Sequence, residues 1–154
     1  MERVDWIPEG LYQEIIGNMP VPCVDLVVEC RSGVLLCYRK NQPAKDSWYI
    51  PGGRVKKGET LEEAVHRVAD EELGVEVEIK EQIGTFDLMF EVGNFDLPEH
   101  NITTVFHVKP KAEDFKSDDQ HRDKRVFGEF PDGIHRYAEI IIEQTPVWKL
   151  SEEE

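Results

Sequence analysis

The chain has 154 residues and is acidic, with 32 Asp and Glu against 18 Lys and Arg and a formal net charge of −14. Such a field repels nucleic-acid backbone and anionic membrane surfaces, so we expect neither as a partner, and a phosphate-bearing ligand needs a local arginine or metal ion. With 40% hydrophobic residues, the length suits one globular domain over residues 1–154, in which residues 151–154 form a frayed acidic tail.

Three further sequence features concern the cellular compartment. The N-terminus lacks the pattern of a signal peptide, and no apolar run has the length of a membrane-spanning helix. The three cysteines, Cys23, Cys30 and Cys37, form no Cys-x-x-Cys pair, and their odd number argues against a disulfide framework. We therefore expect a cytoplasmic protein.

The predicted elements are β-type runs interspersed with helices. In chain order they are a helix over 9–18, a hairpin of strands over 22–30 and 34–39, a loop over 40–47, a helix between Thr60 and Gly74, two strands within 76–92, a loop over 93–101, a strand over 102–108, a polar loop over 118–124 and a helix over 134–144. Antiparallel hairpins that flank helices predict an α+β sandwich.

The segment from Trp48 to Val75 carries the strongest local signals. An aromatic, strand-like run is broken at residues 51–53 by Pro-Gly-Gly. Thr60 is a candidate helix N-cap, and Glu63, three residues later, completes a capping box. Gly74 supplies the stop at the other end of the helix.

An apolar stripe on this helix contains a carboxylate. At about 100° per residue, the stripe consists of Leu61, Ala64, Val65 and Val68. Glu72 falls in the middle of the stripe, and Glu71 lies at its edge, one turn beyond Arg67. A carboxylate on a core-facing stripe is costly unless a cation or strong donors meet it. Two interpretations follow: Glu72 reaches solvent while Glu71 pairs with Arg67, or Glu72, together with Glu71, binds a hard divalent cation.

The segment resembles the Nudix box, G-x5-E-x7-R-E-U-x-E-E-x-G-U, in which U is aliphatic. The matching residues are Gly53, Glu59, Arg67, Ala69, Glu71, Glu72, Gly74 and Val75. One position departs, because Val68 stands where the box has a glutamate that helps to bind metal ions. The resemblance implies a hydrolase with the Nudix α/β/α sandwich, and the departure implies fewer metal sites or a changed reaction.

Features outside the box resemble GDP-mannose mannosyl hydrolases, over a stretch from about Val21 to Phe127. They are Asn41-Gln-Pro-Ala44, Trp48, Pro51-Gly-Gly-Arg-Val55, the aliphatic residue after Arg67, and Asp118-Asp-Gln-His121 in the loop before Arg125-Val-Phe127. The resemblance implies a small-molecule substrate like GDP-mannose, and water that displaces the nucleoside diphosphate from C1 of the sugar. It also implies a homodimer.

The same resemblance implies a metal site. The backbone carbonyl of Gly53, the carboxylate of Glu72 and the side-chain oxygen of Gln120 would hold one Mg²⁺ or Mn²⁺ ion, with Glu71 as a further candidate ligand. A single ion would explain how Val68 is tolerated. Asp25 matches an aspartate that lies near the sugar and the leaving group.

Two arginines and a histidine complete the predicted site. Arg39 and Arg54 suit a diphosphate, because a guanidinium donates two parallel hydrogen bonds. Asp25 and Arg39 would equally suit a weak cross-strand ion pair. His121 is the expected general base, because an imidazole accepts a proton near neutral pH. From the residues alone His121 fits a solvated surface position as well, and the resemblance favours the base.

Several alternatives stay open at this point. Phe106 stands where the mannosyl hydrolases have a tyrosine that contacts the leaving group, so neither the sugar nor the base is determined. Ordinary Nudix pyrophosphatase chemistry, with water attacking phosphorus, is a second reaction. A non-catalytic nucleotide-binding module is a third possibility, and tight binding without turnover would indicate it.

Overall fold

The computed structural model describes residues 1–116 and 121–147, with the backbone alone for residues 121–123. The helices and strands are α1 (Glu9–Asn18), β1 (Val21–Cys30), β2 (Gly33–Arg39), β3 (Trp48–Tyr49), β4 (Gly52–Arg54), α2 (Leu61–Val68), β5 (Val77–Phe90), β6 (Glu99–Pro110), β7 (His121–Phe127) and α3 (Arg136–Glu143), with a π-helical turn at Ala69–Leu73 and a 3₁₀ turn at Asn94–Asp96.

The strands form a mixed sheet in the order β3-β2-β1-β6-β5, with β4 paired to β1 and β7 paired to β2. β1 and β6 run parallel, and the other pairs are antiparallel. Residues 23–25 of β1 pair with β4, whereas Glu29 and Cys30 pair with β2. Asp25 is therefore the last β1 residue paired with β4, at the point where the two antiparallel neighbours of β1 diverge.

Two apolar clusters cover the two faces of this sheet. Val24, Leu26 and Val28 of β1 belong to the cluster that includes residues of α2, whereas Val27 packs in a second cluster with Ile141 of α3. Because successive side chains of a strand face opposite sides, the two helices lie on opposite faces of the sheet. The α+β fold with α/β/α layers that the sequence predicts is confirmed.

The α2 helix begins as predicted. Thr60 Oγ1 accepts a hydrogen bond from the Glu63 backbone N–H at 3.1 Å, and Glu63 Oε1 accepts one from the Thr60 N–H at 2.9 Å. At the other end, the π-helical turn follows Val68, and Gly74 adopts a left-handed φ of 69°. A π-helical turn contains more residues than an α-helical turn, so the angle used to place Glu72 on the apolar stripe does not apply.

The predictions for the second half of the chain need two corrections. Residues 77–90 form one strand instead of the two predicted within 76–92. The pairing with β6 continues on both sides of the register shifts within residues 79–84, so the strand is not divided there. The predicted loop over 93–101 is shorter than expected, since β6 begins at Glu99, where pairing with β5 prevails over the polar sequence.

The strand β7 also begins earlier than the sequence predicts. Of the predicted polar loop over 118–124, residues 118–120 lie outside the described residues, and from His121 onward the backbone is already in β7, paired with β2. The predicted C-terminal helix is present as α3, and the helix over 9–18 is confirmed to both ends as α1. Within the described ranges, no helix is long and apolar enough to cross a bilayer.

Candidate active site

A cavity of about 310 Å³ opens beside β1, β4 and β6. Its lining residues are Tyr12, Cys23, Asp25, Arg39, Pro43, Ala44, Tyr49, Ile50, Gly52, Gly53, Arg54, Glu72, Leu88, Phe90, Asn94, Glu99, Asn101 and Thr103. This set includes five residues that the sequence singles out for chemistry: Asp25, Arg39, Gly53, Arg54 and Glu72. The fold thus brings together residues from β1, β2, β4 and the turn after α2.

Asp25 is a buried acid in this cavity. Burial raises the pKa of Asp25 to about 8, the negative charge of Glu72 adds to the rise, and the positive charge of Arg39 opposes it. Gly52 allows this packing, because a Cβ there would overlap Asp25 Oδ1 and lie 2.7 Å from the carbonyl oxygen of Val24. The carboxyl group is thus held close to both a cation and another acid.

The two arginines are positioned from different sides. Arg39 ends β2, and its Nε donates to the carbonyl oxygen of Pro43 at 2.7 Å. The guanidinium of Arg54 lies 5.6 Å from the centre of the Tyr12 ring, a cation–π distance. Helix α1 therefore contributes to the site through Tyr12, and the loop after β2 contributes through Pro43.

Arg67, in the last turn of α2, connects that helix to Glu59, which precedes the helix, and to the backbone of β4. Its Nε and Nη2 donate to the two carboxylate oxygens of Glu59 at 2.6 and 2.9 Å, and Nη2 also donates to the carbonyl oxygen of Arg54 at 2.8 Å. Burial raises the pKa of Glu59, but hydrogen bonds from Arg67 and from the Lys56 backbone, with the charge of Arg67, lower it below its ordinary value. The network holds the Gly53–Arg54 edge against the helix.

The two adjacent glutamates have different surroundings. Glu71 pairs with Arg67 at 3.1 Å, and its side chain is 53% exposed, so it lies outside the cavity. Glu72 lines the cavity instead, and its Oε2 atom is buried. Of the two interpretations drawn from the sequence, the ion pair fits Glu71 and the cavity position fits Glu72.

The donors at this end of the cavity suit a hard cation. Gly53 and Glu72 both line it, and they offer oxygen atoms, as Mg²⁺ and Mn²⁺ prefer. Burial and, after it, repulsion by Glu72 raise the Asp25 pKa, and a cation would offset that repulsion. Within residues 1–116 and 124–147, whose side chains are described, no three His, Cys, Asp or Glu side chains form a metal-binding group. The third proposed ligand, Gln120, lies outside the described residues.

Val68 takes no part in the cavity. Its side chain is 2% exposed and belongs to the apolar cluster under α2. Its Cγ2 atom lies 3.2 Å from the place where a Cβ on Gly53 would stand. The substituted box position therefore packs the core directly behind the Gly53 backbone.

The described part of His121 is its backbone, which pairs with Arg39 across β7 and β2, next to a register shift in that pairing. The strand register brings the expected base beside one of the cavity arginines. Its role as the base stays a prediction.

Phe106 lies away from the site. This residue, which stands where the mannosyl hydrolases have a tyrosine, is buried in the α2 cluster and does not line the cavity. Its side chain therefore contributes to the core instead of to the cavity wall.

Sequence reasoning missed much of the cavity wall, namely Tyr12, Tyr49, Asn94, Glu99, Asn101 and Thr103. Three of these, Glu99, Asn101 and Thr103, alternate along β6 and so face one side of the sheet. The alternation is visible in the sequence, but the predicted boundary between the loop over 93–101 and the strand over 102–108 divides it. Beginning the strand at Glu99 would have revealed it.

Comparison with known proteins adds the family. Residues 19–142 match the NUDIX domain, which is more than half of the chain.

The chain belongs to the Nudix family.

Two relatives and a solved structure agree with this assignment. The low-salt glycan biosynthesis protein Agl8 of Haloferax volcanii is 40% identical over 139 residues, 89% of each chain. An ADP-ribose pyrophosphatase of Methanocaldococcus jannaschii is 33% identical over 108 residues, 70% of this chain and 62% of that one. The crystal structure of a MutT NUDIX hydrolase from Burkholderia pseudomallei matches with a TM-score of 0.73 at 25% identity, covering 83% of this chain and 99% of the other. The protein is a Nudix hydrolase, a class that acts on nucleoside diphosphate derivatives.

Proposed function

We propose that this Nudix hydrolase cleaves a nucleoside-diphosphate sugar of the GDP-mannose type, with water attacking C1 of the sugar and nucleoside diphosphate leaving. The observation that carries the proposal is the position of Val68. Where the Nudix box has a metal-binding glutamate, this chain has a side chain buried in the core. The cavity retains Gly53 and Glu72 as oxygen donors, which suits one cation on the diphosphate.

The roles of the residues follow from the charge that the reaction moves. When the C1–O bond breaks, its electron pair goes to the diphosphate oxygen, so the leaving group needs neutralisation more than a proton. Arg39 and Arg54 face the same cavity and supply planar cationic donors for the diphosphate. A divalent ion held by Gly53, Glu72 and Gln120 would stabilise the same negative charge as a Lewis acid. Glu71, the further candidate from the sequence, pairs with Arg67 outside the cavity and is left out of this donor set.

The other half of the reaction concerns the attacking water. Its oxygen forms the new bond to C1 and keeps one proton as the C1 hydroxyl, and its other proton goes to His121, whose strand lies beside Arg39. Asp25 interacts electrostatically with both Glu72 and Arg39. We assign it a contact with the sugar next to the leaving group. The name of the 40% identical relative, a glycan biosynthesis protein, supports a sugar-bearing substrate.

Attack on phosphorus is the second candidate, because a 33% identical relative is an ADP-ribose pyrophosphatase. The products separate the two reactions. With GDP-mannose and Mg²⁺, carbon attack gives GDP and mannose, whereas phosphorus attack gives GMP and mannose 1-phosphate. We expect GDP and mannose by anion-exchange chromatography. The homodimer, which rests on resemblance alone, stays a prediction for solution scattering.

A further inference from the structure

Two buried polar atoms on the cavity wall have no hydrogen-bond partner within the described part of the chain. They are the hydroxyl oxygen of Tyr49 and Oδ1 of Asn101. Tyr49 is 6% exposed and Asn101 is 8% exposed, and both residues line the cavity. Buried polar groups are normally paired, and an unpaired one lowers stability. Such atoms are expected where a ligand completes the hydrogen bonding.

Asn101 lies well along β6 from the position that is level with Asp25. In the pairing of β1 with β6, Asp25 is level with Val105, whereas Asn101 is four residues away. At the rise of a β-strand this separation is about 13 Å. A ligand that reaches both Asp25 and Asn101 therefore extends well beyond a diphosphate. Glu99 and Thr103 flank Asn101 on the same face of β6.

The surroundings of Asn101 combine apolar walls with hydrogen-bond acceptors. Leu88 is its cross-strand neighbour, and the rings of Phe90 and Tyr49 lie edge-on with centroids 6.4 Å apart. Glu99 is 5% exposed, and its Oε1 accepts from the backbone N–H and Nδ2 of Asn94 at 2.9 and 2.8 Å. Apolar faces and acceptors together fit a ring whose rim carries O–H or N–H donors.

We propose that Asn101 and Tyr49, at separate points of the cavity wall, form an extended subsite that binds a donor-bearing ring of the substrate and thereby selects it. The ring is either the hydroxylated sugar or the nucleobase, which share this chemistry. The inference rests on the proposed function for the identity of the ligand as a nucleotide sugar. The stability that the two unpaired atoms cost the free protein is the expected signature of a binding group.

The test compares two conservative deletions with matched controls. Tyr49→Phe and Asn101→Leu remove the unpaired atoms, so thermal stability should stay equal or rise while kcat/KM for the preferred nucleotide sugar falls about 10–100-fold. Tyr137→Phe and Thr104→Val remove hydroxyls that are bonded outside the cavity, Tyr137 to the Met89 backbone and Thr104 to Thr85. These controls should lower stability and leave kcat/KM unchanged.

A substrate panel identifies the ring. GDP-mannose against GDP-glucose varies the sugar, and GDP-glucose against ADP-glucose and UDP-glucose varies the base. The Tyr49→Phe and Asn101→Leu variants should lose discrimination along one of these two axes, and that axis names the ring. Variants that lose stability but keep wild-type kcat/KM and wild-type discrimination would overturn the proposal, because the two groups would then be structural.

Binding separates this test from the proposed reaction. If the wild-type enzyme turns over none of the nucleotide sugars, the proposed function fails, and the subsite is then tested by calorimetry with GDP and with intact GDP-mannose. Weaker binding of either compound to both variants, with unchanged or higher stability, supports the subsite. Wild-type affinity for both compounds overturns it.

Discussion

Restoring the Nudix glutamate at position 68 should destabilise the protein strongly. Val68 is 2% exposed and Val65 is fully buried, and both belong to the apolar cluster under α2. Val68→Glu places a carboxyl group in this cluster. Val65→Glu, one helical turn earlier, is the matched control for a carboxyl group buried in the same cluster.

The magnitude follows from the protonation of a buried carboxyl. Such a group stays neutral at pH 7, and holding it neutral costs about 1.4 kcal/mol for each pH unit above its unfolded pKa of about 4.3, or about 3–4 kcal/mol. Polar atoms without partners add about 1 kcal/mol. The total of about 4–5 kcal/mol is a large part of the ordinary stability of a domain, and it lowers Tm by roughly 10–20 °C.

Urea denaturation at two pH values measures this penalty. The folded pKa of the new carboxyl is raised above its unfolded value, so the penalty is absent below about pH 4.3 and grows as the pH rises towards the folded pKa. The deficit should therefore be about 2–3 kcal/mol smaller at pH 5 than at pH 7. A Val68→Glu protein as stable as wild type at both pH values, while Val65→Glu is destabilised, would refute the core position of Val68.

Three further changes test the site and its support. Glu72→Gln should keep the fold and weaken Mg²⁺ binding by more than about tenfold in calorimetry, and unchanged affinity would remove Glu72 from the donor set. Glu59→Gln should destabilise the protein at pH 7 but much less at about pH 3. The pKa of Glu59 is lowered in the folded protein, so its contribution to the free energy of unfolding is present above about pH 4.3 and is lost as the pH falls through the folded pKa. An equal loss of stability at both pH values in urea melts contradicts the ionic role. His121→Gln should lower kcat by about 10²–10⁴-fold with little change in KM and should abolish the acid limb of the pH–rate profile, whereas full rate with the limb intact places the base elsewhere.

The local signals in the Nudix segment predicted much of the structure. The capping box of Thr60 and Glu63 and the stop at Gly74 are set by hydrogen bonds between near neighbours, so they can be read from the sequence. The apolar run before the turn at residues 31–33 predicted the strand β1 in the same way. The residue types at Asp25 and Arg39 predicted ionic chemistry, and the fold brings both to one cavity.

The remainder depended on contacts between distant segments. The polar start of β6 at Glu99 is a strand because it pairs with β5, and the register shifts in β5 have no local signature. The π-helical turn after Val68 changes the direction in which Glu72 projects from the helix, and α-helical periodicity cannot predict that direction. Tyr12 reaches the cavity from α1, although its own segment carries no functional motif.

Hydrolysis in ¹⁸O-labelled water tests the central claim most directly, because the label marks the atom that water attacks. With GDP-mannose as the substrate and mass spectrometry of the separated products, attack on carbon places ¹⁸O in the released mannose and none in GDP. We predict this result. Label in a phosphate group of GMP or of mannose 1-phosphate would show attack on phosphorus and contradict the account.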